Sequence, residues 1–189
     1  MNAADTREII MGVARKAVQA RGYNALSFRE LAAEVGIKSA SVHYHFPTKG
    51  DLAAALAQRY TEDGREFLAT IREGSKSVKA AVQQYTDIFR AALADDNRMC
   101  LCGIMSAEHD DLPPEVRAEL DQFNQMNVDW LTSLLAQGSH GAKELKQART
   151  RALAIFAAIE GAQLIARGQG DIAVYDQIIE GYRQAGLLP

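Results

Sequence analysis

Apolar residues recur along this chain at intervals of three and four, and no stretch alternates apolar with polar positions as a half-buried strand would. The pattern predicts helices from end to end, an all-α fold. Residues 1–20 mix Asp5, Arg7, Glu8, Arg15 and Lys16 into one amphipathic helix. Leu52, Ala55, Leu56 and Tyr60 share a face that continues to Leu68 and Ile71, which predicts one long helix with Gly64 as its weak point. Val78, Val82, Tyr85, Phe89 and Ala92 mark the next helix, and a short one spans Met99 to His109. After Pro113-Pro114, the residues Val116, Leu120, Phe123, Asn127, Trp130 and Leu134 form an apolar stripe with one polar member, Asn127. A buried amide needs a partner, so Asn127 is expected to bond a neighbouring backbone group or to face a ligand. The last two helices, 143–167 and 172–185, meet at Gly168-Gln169-Gly170. The first of them interleaves Ala152, Ala154, Ala157, Ala158, Gly161, Ala162 and Ala166 with Leu153, Phe156, Ile159 and Leu164. Such a surface lets another helix come close, whether from the same chain or from a second copy.

The segment 27–51, SFRELAAEVGIKSASVHYHFPTKGD, carries the most specific signals. Ser27 and Glu30 form a capping box before a helix whose inner face is Phe28, Leu31, Ala32 and Val35. Gly36 ends that helix, because a tight helix-to-helix turn needs a left-handed residue, and Ile37 plugs the angle behind it. A second helix from Ser39 to His45 has one clear core residue, Val42, and so keeps a free face. Pro47 stops it, Thr48 caps the next helix with Asp51 at the third position, and Lys49 stands at that amino terminus. A cation there opposes the helix dipole unless an anion offsets it, and exposed amides plus a lysine make a phosphate clamp. The order of cap, glycine, polar helix, Pro-Thr-Lys and cap predicts a helix-turn-helix that holds a short helix in the major groove of DNA.

From Asn24 to Leu52 the chain resembles the amino-terminal signature of the tetracycline-repressor-like (TetR/AcrR) transcriptional regulators: a capped helix, a Gly-aliphatic turn, an aromatic-bearing recognition helix, His45-Phe46 and Thr48-Lys49. It has His43-Tyr44 where that family often has two tyrosines. The resemblance implies that Ser39, Ala40 and Ser41, with Arg29, approach base edges, while Ser27, His43, Tyr44 and Lys49 hold phosphates; Lys38, His45 and Thr48 complete the expected DNA-facing set. It also implies a head over 1–50 and an effector-binding and dimerisation body over 51–189, with the last two helices pairing with their copies through Phe156, Ala158, Gly161 and Leu164. The implied effector is a small, largely apolar molecule lined by Tyr85, Phe89, Cys102, Met105, Phe123, Asn127, Trp130 and Phe156, the same side chains that would otherwise be plain core. Its binding would release the regulator, as a repressor, from a palindromic operator in double-stranded DNA.

Charge adds one refinement. The whole chain is at −3, yet residues 1–50 hold seven Lys and Arg against four Asp and Glu, a net of +3, which leaves −6 for the rest. A basic head on an acidic body is the asymmetry expected when one end meets phosphate. No window reaches the roughly 18 apolar residues of a membrane span, and the first 20 residues carry no targeting pattern, so a cytoplasmic protein is expected. Cys100 and Cys102 cannot build a disulfide framework; on one helix they would point about 200° apart. They leave a second reading open, a repressor that senses electrophiles or oxidants through one thiol. Zinc on Cys100, Cys102 and His109 lacks a fourth ligand, and neither metal nor cofactor is expected. No GxSxG, GxGxxG, P-loop or HExxH occurs, and Asp111 ahead of Leu112-Pro113-Pro114 reads as a helix start, so an enzyme is not expected. A helical protein-interaction module without DNA binding is the remaining alternative.

Overall fold

A computed structural model describes residues 3–138 and 141–189. It contains nine α-helices among these residues and no strand: α1 (Ala3–Arg21), α2 (Phe28–Val35), α3 (Ser39–His45), α4 (Lys49–Gly74), α5 (Val78–Ala94), α6 (Leu101–Ser106), α7 (Pro114–Leu135), α8 (Ala142–Gln169) and α9 (Ile172–Gln184). A single 3-10 turn, His109–Asp111, lies between α6 and α7.

The long predicted helix is present as α4, and it runs unbroken through Gly64. A Cβ at Gly64 would stand in ordinary contact with Met126 Cε, at 3.4 Å, and the helix does not break there. The short helix near 99–109 is the less accurate expectation. Cys100 precedes it as the N-cap, its Sγ accepting from the Gly103 amide at 3.5 Å, and the helix ends at Ser106. The two thiols therefore do not sit two positions apart on one helix, and both are buried. Helix α8 extends into the predicted glycine turn as far as Gln169, and Gly170, the last residue of that turn, takes the left-handed cap at φ 64°.

The chain divides into two compact units. The first comprises Met1–Glu62 with Cys100–Phe123, and the second Asp63–Met99 with Asn124–Pro189. In the first, α1, α2 and α3 enclose Ile10, Ala14, Val18, Leu31 and Val42, joined by Phe46, Leu52 and Leu56 and by Leu101, Met105 and Val116. Burying aliphatic side chains such as these contributes about 1.5–3 kcal/mol each, which suffices to hold helices as short as α2 and α3 that would not persist alone.

In the second unit α5 packs on α8 and α9 around Val82, Tyr85, Phe89, Ile155, Ile159, Tyr175 and Ile179. Three of its buried polar side chains hold the helices together by hydrogen bonds. The Tyr85 hydroxyl donates to Asn127 Oδ1 at 2.8 Å, Gln163 Nε2 donates to the Phe89 carbonyl at 2.7 Å, and the Tyr175 hydroxyl donates to the Thr86 carbonyl at 2.8 Å. Asn127 thus has a side-chain hydroxyl from another helix among its partners. Burial, reinforced by Asp87 and Glu160, pushes the Tyr175 hydroxyl far above its ordinary range, so it stays a donor. Among the described residues no helix is long and apolar enough to cross a membrane.

Candidate nucleic-acid interface

The helix-turn-helix is assembled from local chemistry. Ser27 is extended, and its Oγ accepts from the Glu30 amide at 3.4 Å. The Glu30 carboxylate lies against Arg21 at 3.4 Å, so an exposed ion pair takes the acid that was expected to return to the cap. At the far end Gly36 has φ 77° and ψ 32°; its amide meets the Ala33 carbonyl at 3.3 Å and the Ile37 amide meets Ala32 at 2.9 Å. These two bonds close the helix by the Schellman pattern and turn the chain directly into α3.

Helix α3 has the bounds predicted from its punctuation. Val42 is fully buried and Phe46, just beyond the end, nearly so; Ala40, His43 and Tyr44 are exposed, Tyr44 at 78%. Ser39, Ser41 and His45 are half-buried at the edges of the outward face, with Lys38 exposed before it. The His43 ring meets the edge of Phe28 at 4.7 Å, and its Nδ1 lies 3.3 Å from the Pro47 carbonyl, placed to donate to it. Phe46 is covered by the Arg7 guanidinium, 5.0 Å above its ring. Arg29 and Thr48 are exposed as well, so the whole expected DNA-facing set stands in one unit on α2, α3 and the start of α4.

The start of α4 is capped in both directions. Thr48 donates from its amide and its hydroxyl to Asp51 Oδ2 at 2.9 and 2.8 Å, and the Asp51 amide donates to Thr48 Oγ1 at 3.1 Å. Lys49 Nζ donates to the Asn24 carbonyl at 3.3 Å and lies 4.1 Å from the centre of the Tyr23 ring. Burial lowers the Lys49 ammonium from its ordinary value, an effect opposed by Glu108 and Asp111. One of three N–H donors is spent on Asn24, so the ammonium is stationed beside the helix with donors left over for an anion.

Sequence reasoning missed what stands behind this lysine. Glu108 accepts from the Tyr23 and Asn24 amides, and Asp111 Oδ2 accepts from Asn24 Nδ2 at 2.7 Å. Asp111 therefore serves the α1–α2 turn and not the start of α7, which begins at Pro114. The separation of some 85 positions between these partners leaves no local pattern to read.

The expected effector residues fall in both units. Tyr85, Phe89, Asn127 and Trp130 are neighbours in the second: the Tyr85 ring stacks on Trp130 at 5.2 Å and meets Phe89 at 5.3 Å. Trp130 Nε1 donates to the Leu68 carbonyl at 2.9 Å, and Phe156 is half-buried on α8. Cys102, Met105 and Phe123 belong to the first unit, the first two fully buried and Phe123 against Tyr60 at 5.5 Å. Of the expected dimer residues, Leu164 is exposed on a stripe of α8 with Leu153, Ala157 and Gly168; Gly161, at the same helical register, is half-buried, as are Phe156 and Ala158 beside it. Leu153, Leu164 and Ile165 remain 51%, 58% and 50% exposed. Among the described residues no three His, Cys, Asp or Glu side chains converge to hold a metal ion.

An all-helical chain whose amino-terminal unit presents a capped, Schellman-turned pair of short helices with an outward polar face is a helix-turn-helix protein. The family model for bacterial regulatory proteins of the tetR family matches residues 10–56. A TetR transcriptional regulator from Legionella pneumophila is 31% identical, with 98% of this chain and 99% of that one covered and a TM-score of 0.85. A TetR-family regulator from Agrobacterium tumefaciens is 28% identical over 97% of this chain and 98% of its own, with a TM-score of 0.88. The HTH-type nicotine-responsive transcriptional repressor HdnoR of Paenarthrobacter nicotinovorans is 23% identical over 171 residues, 87% of this chain and 84% of that protein. The chain belongs to the TetR family of transcriptional regulators.

Proposed function

We propose that this regulator binds a palindromic operator as a homodimer and represses transcription until a small, largely apolar molecule releases it. The observation that carries the reading is α3 itself: seven residues with one fully buried side chain, Val42, and with Ala40, His43 and Tyr44 exposed on its outer face. A helix so short reads too few bases for useful specificity, and two copies related by a twofold axis read a palindrome whose half-sites are about 34 Å apart, or a longer spacing that the operator permits. The outward apolar stripe of α8 supports the pairing. We assign residues 1–50 to the DNA-binding role and 51–189 to effector binding and dimerisation.

Release follows from linkage. An effector that prefers a conformation with another head spacing weakens operator binding by the same free energy with which operator weakens effector binding. We favour a reversible, noncovalent effector over thiol chemistry, because a reactive cysteine needs exposure and thiolate character, whereas Cys100 and Cys102 are 1% and 0% exposed. The test is selection of duplexes from a random pool by the purified protein, followed by anisotropy titration of the selected sequence and its scrambled control. Recovery of a palindrome bound by two protomers, or a multiple of two, supports the reading. Failure to enrich any sequence would sink it.

A further inference from the structure

The turn joining α1 to α2 is an anion-binding concavity that the chain fills with its own carboxylate. Gly22 has φ +85°, and the two amides that follow it, of Tyr23 and Asn24, converge on one side. Successive backbone amides in such a turn form a nest that favours negative charge. Glu108, just past the end of α6, occupies it with both oxygens: Oε2 accepts from the Tyr23 amide at 2.5 Å and Oε1 from the Asn24 amide at 3.1 Å. A Cβ at Gly22 would lie 2.6 Å from Oε2 and 2.9 Å from the carboxyl carbon, so glycine serves both the left-handed backbone and the approach of the acid. All these residues belong to one compact unit.

What the nest holds bears on DNA. The Asn24 residue whose amide is bound to Glu108 presents its carbonyl to Lys49 Nζ, and Tyr23 lays its ring beneath the same ammonium. Three residues beyond Asn24, Ser27 caps the helix that carries Arg29. We infer that Glu108 is a positioning residue for operator binding: its carboxylate, seated in the Gly22–Asn24 nest, sets where Lys49 and the amino end of α2 stand, without itself meeting DNA. The inference rests on the DNA-binding reading above.

The geometry selects the variants. A carboxylate offers an acceptor to each amide, whereas the side-chain amide of Glu108→Gln offers one acceptor and sets an N–H donor against the second backbone donor. Glu108→Ala empties the nest and leaves room for a small carboxylate from solution. Asp111→Asn keeps an oxygen that can accept from Asn24 Nδ2, and so should bind operator like wild type.

The experiment titrates wild type, Glu108→Ala, Glu108→Gln and Asp111→Asn against the duplex that wild type selects, in chloride and in acetate at equal ionic strength. Recovery is scored relative to wild type in the same buffer, which removes the general effect of the anion on DNA binding. Both Glu108 variants should bind about tenfold more weakly, as couplings between distinct sites commonly do. Their salt slope should be shallower than that of wild type, and by less than in Lys49→Ala, since Lys49 is displaced from its phosphate and not removed. Acetate should restore Glu108→Ala and leave Glu108→Gln weak. Wild-type affinity in Glu108→Ala, or a loss that acetate does not repair, overturns the inference. If wild type selects no duplex at all, the DNA-binding reading fails instead.

Discussion

Gly161→Glu separates the stability of the protomer from that of the dimer, because the two should move in opposite directions. Gly161 lies within the 28-residue helix α8, and nothing stands within 4 Å of the Cβ it lacks. Within one protomer the substitution removes a helix-interior glycine and should stabilise by roughly 0.5 kcal/mol. In a dimer built on the α8 stripe, the twofold axis brings two copies of the new carboxylate into the interface. At several kcal/mol of effective desolvation per unpaired ion, the pair costs about 4–8 kcal/mol. Against this stands the apolar gain: Leu153, Leu164 and Ile165 are 51%, 58% and 50% exposed. Covering each half side chain is worth about 1 kcal/mol, or roughly 6 kcal/mol for the six in a dimer. The two terms are of the same size, so the dissociation constant should rise by about three orders of magnitude or more. Sedimentation velocity across a dilution series reads the dimer, and helical melting at a concentration where the variant is monomeric reads the protomer. A Gly161→Glu protein that dimerises as tightly as wild type would remove α8 from the interface.

Three further outcomes follow from the same geometry. Tyr85→Phe deletes the hydroxyl that donates to Asn127 Oδ1 within the core and should lower unfolding free energy by about 1–2 kcal/mol in urea titrations; an unchanged midpoint would mean that this bond contributes nothing. With both thiols buried, peroxide and a quinone should leave operator anisotropy unchanged in wild type and in the Cys100→Ser/Cys102→Ser double variant, while an apolar effector releases both alike; release by oxidant that vanishes in the double variant would restore the thiol reading. Arg90 holds the Asp176 carboxyl below its usual range through paired bonds at 2.7 and 2.9 Å, so the pair's contribution is complete above the unfolded-state value and is lost as pH falls through the depressed one. Asp176→Asn should therefore cost at most about 1 kcal/mol at neutral pH, the pair being exposed, and the gap to wild type should close in acid; a gap that persists at low pH would assign the effect to packing.

The parts of this molecule that were legible in its sequence are those whose partners lie within a turn or two. The bounds of α3, the left-handed Gly36 with Ile37 behind it, and the Thr48–Asp51 cap each depend on residues three to five apart, so spacing alone specified them. The stripe on α7 was equally plain, since periodicity reports which face is buried. It could not say what Asn127 would bond, because Tyr85 arrives from another helix 42 positions away. Glu108 and Asp111 were unreadable for the same reason: each looks like an ordinary acid between short helical turns until the fold sets it against Gly22–Asn24. Cys100 shows the converse failure, where helical periodicity extends one turn too far and hides an N-cap. Lys49 was legible as a misplaced cation, and its internal partners on Tyr23 and Asn24 were not.

Salt dependence of operator binding tests the central claim most directly. Log affinity for the selected palindrome, measured by anisotropy from low to moderate salt, should fall linearly with log salt. If each of two heads neutralises at least three phosphates, the slope should be about −5 or steeper. Lys49→Ala, applied to both heads of the dimer, should weaken binding to all sequences and flatten that slope by about 2. A wild-type slope near zero, or a Lys49→Ala protein whose affinity and slope match wild type, would contradict the account.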